Sequence, residues 1–490
     1  VTAGRLSIKR VYILSLGCSR NLVDSEVLQG FLKEKGLTIV DEPLDADLAI
    51  VNTCGFIQDA KQESIDMILR LAELKKAGKP EKIVVTGCLS QRYPSELMDE
   101  IKEIDGVFGT SDYMRIPVFL DAIASGVKVT EVSSVPCFLY DNSNTRGFLT
   151  PEHYAYLKIQ EGCSNRCSYC VIPDLRGPLR SRTMDSVIAE AKKIRSEHNK
   201  VKELILVAQD ITAFGSEKTG SGQLPALLKK LCPVMSDGWI RLLYTHPAHF
   251  SRELISVIAD EENICKYIDL PIQHINNEIL RKMNRRITGE EIKDLIDRLR
   301  ARMEDVVLRT SVIVGFPGET RSQFAELLDF LKETRFERLG AFIYSPEEGT
   351  PAAGFPEQVP EKVKRERFDA IMRLQQNISR ENNLKYLGKT LRVLIDEEVS
   401  DETGRVIHSA ALNPAVYGGD TCEPPQYESL SGTPGLQPGE LKGFIGRSYM
   451  DAPEVDGDVY VEGQDICVGD FVNVEITGAM EYDLIGVAAR

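Results

Sequence analysis

The stretch Tyr156-Leu-Lys-Ile-Gln-Glu-Gly-Cys163-Ser-Asn-Arg-Cys167-Ser-Tyr-Cys170 sets an apolar, strand-like run directly before a loop that carries three cysteines within eight residues. Gly162 opens the loop, and the spacings between the cysteines are three and two residues. Three soft thiolates this close can hold three irons of a cubane cluster and leave the fourth iron open to a non-protein ligand. A structural zinc knuckle is the alternative. It normally closes with a fourth Cys or His, and none follows at a suitable distance in the chain.

Downstream of this loop, strand-like and helix-like segments alternate. Candidate strands are 155–160, 203–208, 240–244, 267–270, 307–314 and 340–344, with helical periodicity at 186–196, 224–231, 252–258, 290–302 and 321–332. Six strands with intervening helices predict an α/β barrel, open and six-stranded, whose working face is the carboxyl ends of its strands. A charged amphipathic helix over 361–385 reads as a connector, so this unit spans 153–385.

Upstream, residues 1–137 alternate in the same way on a smaller scale, with apolar runs at 11–16, 48–51 and 83–85 and amphipathic stretches at 64–76 and 94–103. This predicts a parallel sheet with helices on its faces. Cys18, Cys54 and Cys88 each fall just past one of these strands, beside Gly17, Gly55 and Gly87. Parallel strands bring such ends to one edge of the sheet, where three thiolates can hold a second cluster, again with one iron free. Three unrelated buried cysteines are the bland alternative, but one strand-end position used three times argues against it. Cys137, Cys232, Cys265, Cys422 and Cys467 show no pattern and read as structural. Residues 138–152 are polar and read as a linker. Residues 386–490 lose helical periodicity. Apolar or alternating runs at 391–395, 457–461, 471–476 and 484–487 predict a small antiparallel β-barrel with a loop inserted at about 410–441.

The chain has 490 residues and a net charge of −15. Residues 386–490 carry 6 basic and 19 acidic side chains, so nearly all of the excess sits there. An acidic C-terminal face would repel a phosphate polymer and attract a basic protein. No run of 18 apolar residues occurs and residues 1–10 have no apolar signal core, so no membrane association and a cytoplasmic location are expected. Eleven cysteines in a reducing compartment point to metal or redox chemistry rather than disulfides.

The three-cysteine loop resembles the radical S-adenosylmethionine superfamily. Its combination with the N-terminal triad and the C-terminal barrel, which resembles a TRAM domain, is similar to the methylthiotransferase family over nearly the whole chain. Ser15-Leu-Gly-Cys18, Asn21-Leu-Val-Asp-Ser-Glu26, the opening stretch and Ile172-Pro-Asp-Leu-Arg-Gly-Pro-Leu-Arg-Ser-Arg182 resemble its RimO branch. The resemblance implies two 4Fe-4S clusters, held by Cys163, Cys167 and Cys170 and by Cys18, Cys54 and Cys88, with S-adenosylmethionine at the first. It also implies a methylthio group placed on the β-carbon of an aspartate of ribosomal protein S twelve. That carbon is too weakly acidic for a protein base, so a radical route carried by the cofactor is needed. An external electron donor and a sulfur source follow as partners. The substrate protein is taken free or in the small subunit, and nucleic acid is not taken as the substrate. The sister branch, MiaB-like and acting on a transfer-RNA adenosine, is the alternative, and an electron-carrying iron–sulfur scaffold is a second. A carrier closes all four ligand positions with thiolates, and both sets here stop at three.

The resemblance also implies cofactor contacts by Tyr169 near the adenine, by Gln209 and Asp210 at the end of one strand, by Gln273 at the end of another, and by Gly315 in Ser311-Val-Ile-Val-Gly-Phe-Pro-Gly-Glu319. His246, His249 and His274 read as structural. Arg176, Arg180 and Arg182 read equally as a clamp on a substrate carboxylate or as a salt-bridged loop. Two features depart from the family: Ser19-Arg20 stands where Pro-Lys is usual, and the 410–441 insertion is extra.

Overall fold

The computed structural model describes residues 8–399 and 442–489. The insertion expected at 410–441 lies outside the described residues. The first unit is a six-stranded parallel sheet of β1 (Arg10–Ser15), β2 (Thr38–Val40), β3 (Leu48–Thr53), β4 (Lys82–Gly87), β5 (Gly106–Phe108) and β6 (Val129–Glu131), in the order β2-β1-β3-β4-β5-β6. The three long strands match the apolar runs. The other three have three residues each, too few for periodicity to register. Every residue of β3 is buried, because helices cover both faces of a parallel sheet. Helix α1 (Ser19–Glu34) follows β1, α2 (Gln58–Lys76) follows β3, and the short α3 (Cys88–Arg92) follows β4.

The central unit opens with β7 (Tyr154–Lys158). The paired β8 (Gln160–Glu161) and β9 (Arg180–Ser181) then pinch the ends of the cysteine loop together. The remaining strands are β10 (Glu203–Val207), β11 (Trp239–Leu242), β12 (Tyr267–Asp269), β13 (Val307–Val314) and β14 (Arg338–Ile343). They form two parallel three-stranded sheets, β7-β10-β11 and β12-β13-β14. A bridge from Ile240 to Ile264 joins the two, with Cys265 N–H donating to the Ile240 carbonyl at 2.9 Å. The result is the expected open, six-stranded barrel in sequential order. Its outer core lies between strands and helices and includes Leu157, Leu206, Leu242, Ile268 and Val312. The connector is the helix Glu361–Leu384.

The third unit is a closed five-stranded barrel of β15 (Thr390–Glu398), β16 (Lys442–Ser448), β17 (Val459–Gly463), β18 (Phe471–Ala479) and β19 (Leu484–Ala488), in the order β15-β16-β17-β19-β18. Four pairings are antiparallel as expected, whereas β17 and β19 run parallel. β16 went unread because two glycines interrupt its apolar pattern.

This small barrel plugs the amino-terminal mouth of the central one. Arg241 bonds Glu203 at 2.6 Å and reaches the Tyr449 carbonyl at 2.7 Å. Arg447 pairs with Glu203 at 2.7 Å, Arg338 with Asp451 at 2.6 Å, and Tyr267 donates to Asp456 at 2.6 Å. The polar seam corrects in part the expectation of an acidic C-terminal face, and weakens charge as an argument for a basic partner. Asp396, Asp451 and Asp456 are held by Arg447, Arg338 and Arg309, so part of the acidity balances arginines at a domain boundary. Glu397, Glu454, Asp465 and Glu475 are exposed. Among the described residues no helix is long and apolar enough to cross a membrane.

Candidate active site

All six cysteines of the two triads lie at carboxyl ends of strands, opposite the plugged mouth. Cys163 follows β8, and its N–H donates to the Gly177 carbonyl at 3.2 Å, which closes the loop on itself. Cys170 N–H donates to the Cys167 carbonyl at 3.1 Å, a single turn that sets the last two thiols on one side. Burial first, and then the charge of Cys167, push Cys170 up to about 12, and burial with Asp210 and Cys167 pushes Cys163 up to about 11. Thiols that resist ionisation alone become good ligands once a cation is present, because the metal takes the place of the proton. Arg285 approaches Cys167 Sγ at 3.9 Å.

The N-terminal triad is assembled from three separate segments. Cys18 caps α1, Cys54 follows β3, and Cys88 opens α3. Two glycines let these loops meet. A Cβ on Gly17 would lie 2.8 Å from Cys54 Cβ and 3.1 Å from its sulfur, and one on Gly55 would lie 2.7 Å from Leu89 N and 2.8 Å from the Cys88 carbonyl carbon. Burial and the neighbouring Cys88 and Cys18 push Cys54 up to about 12. Cys88 is also raised, by burial first. Cys18 goes the other way. Its burial is outweighed by Arg20 and Arg176, and it is held below the usual thiol range.

The two triads face one seam. Cys88 packs with Phe56 against Val171 and Leu175, which follow Cys170. Beneath them, Lys158 and Arg176 of the central unit bond the Asp24 carboxylate of α1, Lys158 bonds Glu161 at 2.7 Å, and Arg176 also bonds Asn21. The polar linker is clamped as well, with Arg146 paired to Glu26 and Glu190.

The sulfurs of neither triad are drawn together as a single tetrahedral ion would require, and three soft thiolates each are chemically suited to an iron–sulfur cluster. Tetrahedral zinc, with Zn–S near 2.3 Å, would draw its sulfurs to roughly 3.8 Å from one another. Among the described residues, the His, Cys and carboxylate groups whose ligand atoms all lie within 4.8 Å are Asp210, His246 and His249, and neither cysteine triad does. The Asp210 group is a hydrogen-bonded knot. His249 Nδ1 lies 2.7 Å from Asp210, Asn165 donates to the same carboxylate at 2.9 Å, and Thr212 bonds its other oxygen.

Three family models match the chain: an uncharacterised protein family (UPF0004) over residues 10–109, the radical SAM superfamily over 157–331, and the TRAM domain over 438–488. Among curated relatives, a protein of Clostridioides difficile (strain 630) named ribosomal protein uS12 methylthiotransferase RimO is 43% identical over 478 residues, covering 97% of this chain and 98% of the relative. A protein of the same name from Desulforamulus reducens is 44% identical over 480 residues, covering 98% and 99%. The chain belongs to the RimO methylthiotransferase family. A solved radical S-adenosylmethionine methyltransferase, TsrM from Kitasatospora setae, shares the fold with a TM-score of 0.52 at 15% identity, covering 70% of this chain and 77% of that one. This family uses S-adenosylmethionine and 4Fe-4S clusters.

The other residues expected from the sequence divide. Gln209 follows β10, donates to Glu161 at 2.6 Å and leaves its buried Oε1 without a partner among the described residues. Tyr169 packs beside Phe316 and Tyr344. Gln273 sits at φ 69° with its backbone paired to Ser311 and Ile313 on β13. At Gly315 the close approach is made by Lys364 of the connector helix, whose Cδ lies 3.0 Å from the position of a Cβ. The structure decides for the salt-bridged reading at Arg176 and Arg182, whereas Arg180 has no carboxylate partner among the described residues. Arg176 and Arg182 are buried and already paired, with Asp24 and Glu190, and Arg180 bonds the Pro178 and Arg176 carbonyls at 2.9 and 3.2 Å. His246 and His274 accept backbone N–H groups of Ala248 and Asn276, at 3.2 and 3.0 Å, and so serve local structure. Sequence reasoning gave Arg20 only as a departure from the family pattern, because a lone arginine beside a cysteine carries no chemistry by itself, and passed over Arg285, which is 118 positions from Cys167.

Proposed function

We propose that this chain is a radical S-adenosylmethionine methylthiotransferase that modifies the β-carbon of an aspartate in ribosomal protein uS12. The observation that carries this reading is the meeting of two cysteine triads, from two domains, across one seam at the carboxyl ends of the barrel strands. Cys163, Cys167 and Cys170 would hold one four-iron cluster, and Cys18, Cys54 and Cys88 a second. When bound, the first with S-adenosylmethionine supplies hydrogen-abstracting radical chemistry, and the second supplies a place for the sulfur group.

The chain's own residues do the rest. Gln209 Oε1, which has no partner among the described residues, offers an acceptor for the amino group of the methionine part. Tyr169, in the apolar cluster of Phe316 and Tyr344, offers a wall for the adenine. Val171, Leu175 and Phe56 keep the seam dry between the triads, which protects a reactive intermediate from water. Asp24, Lys158, Glu161 and Arg176 fix the two domains so that both sites address one carbon, the positional contribution that proximity makes to a rate.

The protein substrate, an external electron donor and a sulfur source are the partners of this reading, with a cytoplasmic setting. The plugged amino-terminal mouth directs the substrate to the cysteine-bearing end. The test is mass spectrometry of uS12 after incubation with reconstituted protein, S-adenosylmethionine, sulfide and dithionite. The expected product is an aspartyl peptide ~46 Da heavier, with H replaced by SCH3. A hypermodified adenosine in transfer RNA with uS12 unchanged would overturn the substrate, and failure to cleave S-adenosylmethionine would overturn the chemistry.

A further inference from the structure

Arg20 spans the seam between the two triads. It starts in the first turn of α1, two residues after Cys18, and its Nε–H donates to Cys18 Sγ at 3.3 Å. Its Nη1 donates to the carbonyl of Ala208, at the end of β10, at 3.2 Å. Its guanidinium lies 4.2 Å from the centroid of the Tyr244 ring, beyond the end of β11. Tyr244 is held in place in turn. It takes a left-handed backbone at φ 63°, its N–H donates to Asp269 at 2.8 Å, and its hydroxyl is 3.4 Å from that of Ser19.

The charge balance sets Arg20 apart. The nearby Arg176 has Asp24 and Glu161 as carboxylate partners. Arg20 has a thiol, a carbonyl and a ring, and no carboxylate pairs with it among the described residues. A guanidinium packed between two domains without an anion is costly to hold, and it becomes favourable once a negative group is placed against it. The candidate anion is at Cys18. A thiolate there, with whatever it ligates, receives a charge-assisted hydrogen bond from a donor that two other contacts have already aimed.

We infer that Arg20 is a positioning residue that fixes a positive charge and a hydrogen bond on the Cys18 ligand, and so raises the reduction potential of the cluster held by Cys18, Cys54 and Cys88. This rests on the reading of that triad as a cluster site. Net charge and hydrogen bonds to sulfur are among the terms that set cluster potentials. The Ala208 and Tyr244 contacts tie the same guanidinium to the central barrel, so the charge is correctly placed only when the two domains are docked.

The test uses the full chain with Cys163→Ala, Cys167→Ala and Cys170→Ala, so that the N-terminal triad is read alone. It is reconstituted anaerobically and titrated with dithionite while electron paramagnetic resonance follows the reduced cluster. Adding Arg20→Met, which keeps length and removes charge, should leave about four irons per chain. It should also lower the midpoint by at least a tenfold change in the redox equilibrium, about 59 mV for one electron. Adding Arg20→Lys instead should recover part of that shift, because the charge remains while the aimed N–H and the ring contact are lost. An unchanged midpoint in Arg20→Met, with the iron retained, overturns the inference and leaves the triad's assignment standing. If Arg20→Met loses its iron, Arg20→Lys decides: a retained cluster with a midpoint near that of the parent supports the inference, and loss of iron in Arg20→Lys too overturns it in favour of a purely structural role. If the parent triple variant binds no four-iron cluster, the assignment of the triad itself falls and the inference falls with it.

Discussion

The two triads bring together the same number of cysteines by opposite routes. Cys163, Cys167 and Cys170 come from one loop, pinched shut by the β8–β9 pair and one turn of backbone hydrogen bonds. Cys18, Cys54 and Cys88 come from three strand ends, and they meet only because the sheet order sets β1, β3 and β4 side by side and two glycines let the loops touch. The first site is built by local geometry. The second is built by the fold, and the neighbouring domain completes its surroundings through Arg176 and Val171. A site of the second kind is open to damage from far more positions in the chain.

The largest effect comes from emptying one triad at a time. Cys18→Ala with Cys54→Ala should lose about half of the iron and sulfide of anaerobic protein, because a cubane cluster does not persist on one thiolate, while reductive cleavage of S-adenosylmethionine survives. Equal loss from both triads would mean that they are not independent. Next is Gly55→Ala, which removes no thiol. Its Cβ would push on the backbone of Cys88 and Leu89, so iron at the N-terminal triad should fall well below that at the barrel triad, which iron quantitation of the two single-triad backgrounds would measure. Full iron at both would show that the loops have room to spare.

Asp24→Ala strikes the seam itself. It leaves Lys158 and Arg176 short of their shared carboxylate, and breaking a buried pair from one side costs ~3–5 kcal/mol. The thermal midpoint should drop, and the iron at both triads should become labile on warming. The smallest effect is expected far from both. Burial first, and then Asp483 and Asp451, push the Asp458 carboxyl up to about 7. An acid raised in the folded state binds its proton there while the unfolded chain has released it, so stability falls as pH rises from about 4 to 7. Asp458→Asn should therefore raise the thermal midpoint at pH 8 by a few degrees, with the gain vanishing near pH 4 and with no change in iron at either triad. A gain independent of pH would mean that Asp458 does not titrate in this window.

Much of this was legible in the residues. The alternation of apolar runs and amphipathic stretches carries the two α/β units, since burial imposes period 2 on strands and period 3.6 on helices. The three-residue strands β2, β5 and β6 and the glycine-interrupted β16 are too short or too broken to leave that trace. All six cysteines were legible too, three by spacing and three by a shared place after a strand. The acidic C-terminal unit was legible as a charge count but not as a surface, because pairing of Asp451 with Arg338 and of Asp456 with Arg309 joins residues far apart in sequence.

The amino-acid order alone thus determined the two cysteine triads proposed as ligands, the fold class of each unit and the family, all of which depend on local spacing and periodicity. The tertiary structure alone decided that both triads look onto one seam, that the small barrel plugs the opposite mouth, and that Arg20 reaches from Cys18 to Ala208 and Tyr244. The contacts that cross between domains join residues far apart in the chain, 188 positions for Arg20 and Ala208 and 244 for Glu203 and Arg447. Their partners are chosen by how whole domains bury surface and balance charge against one another, and no local pattern records that choice.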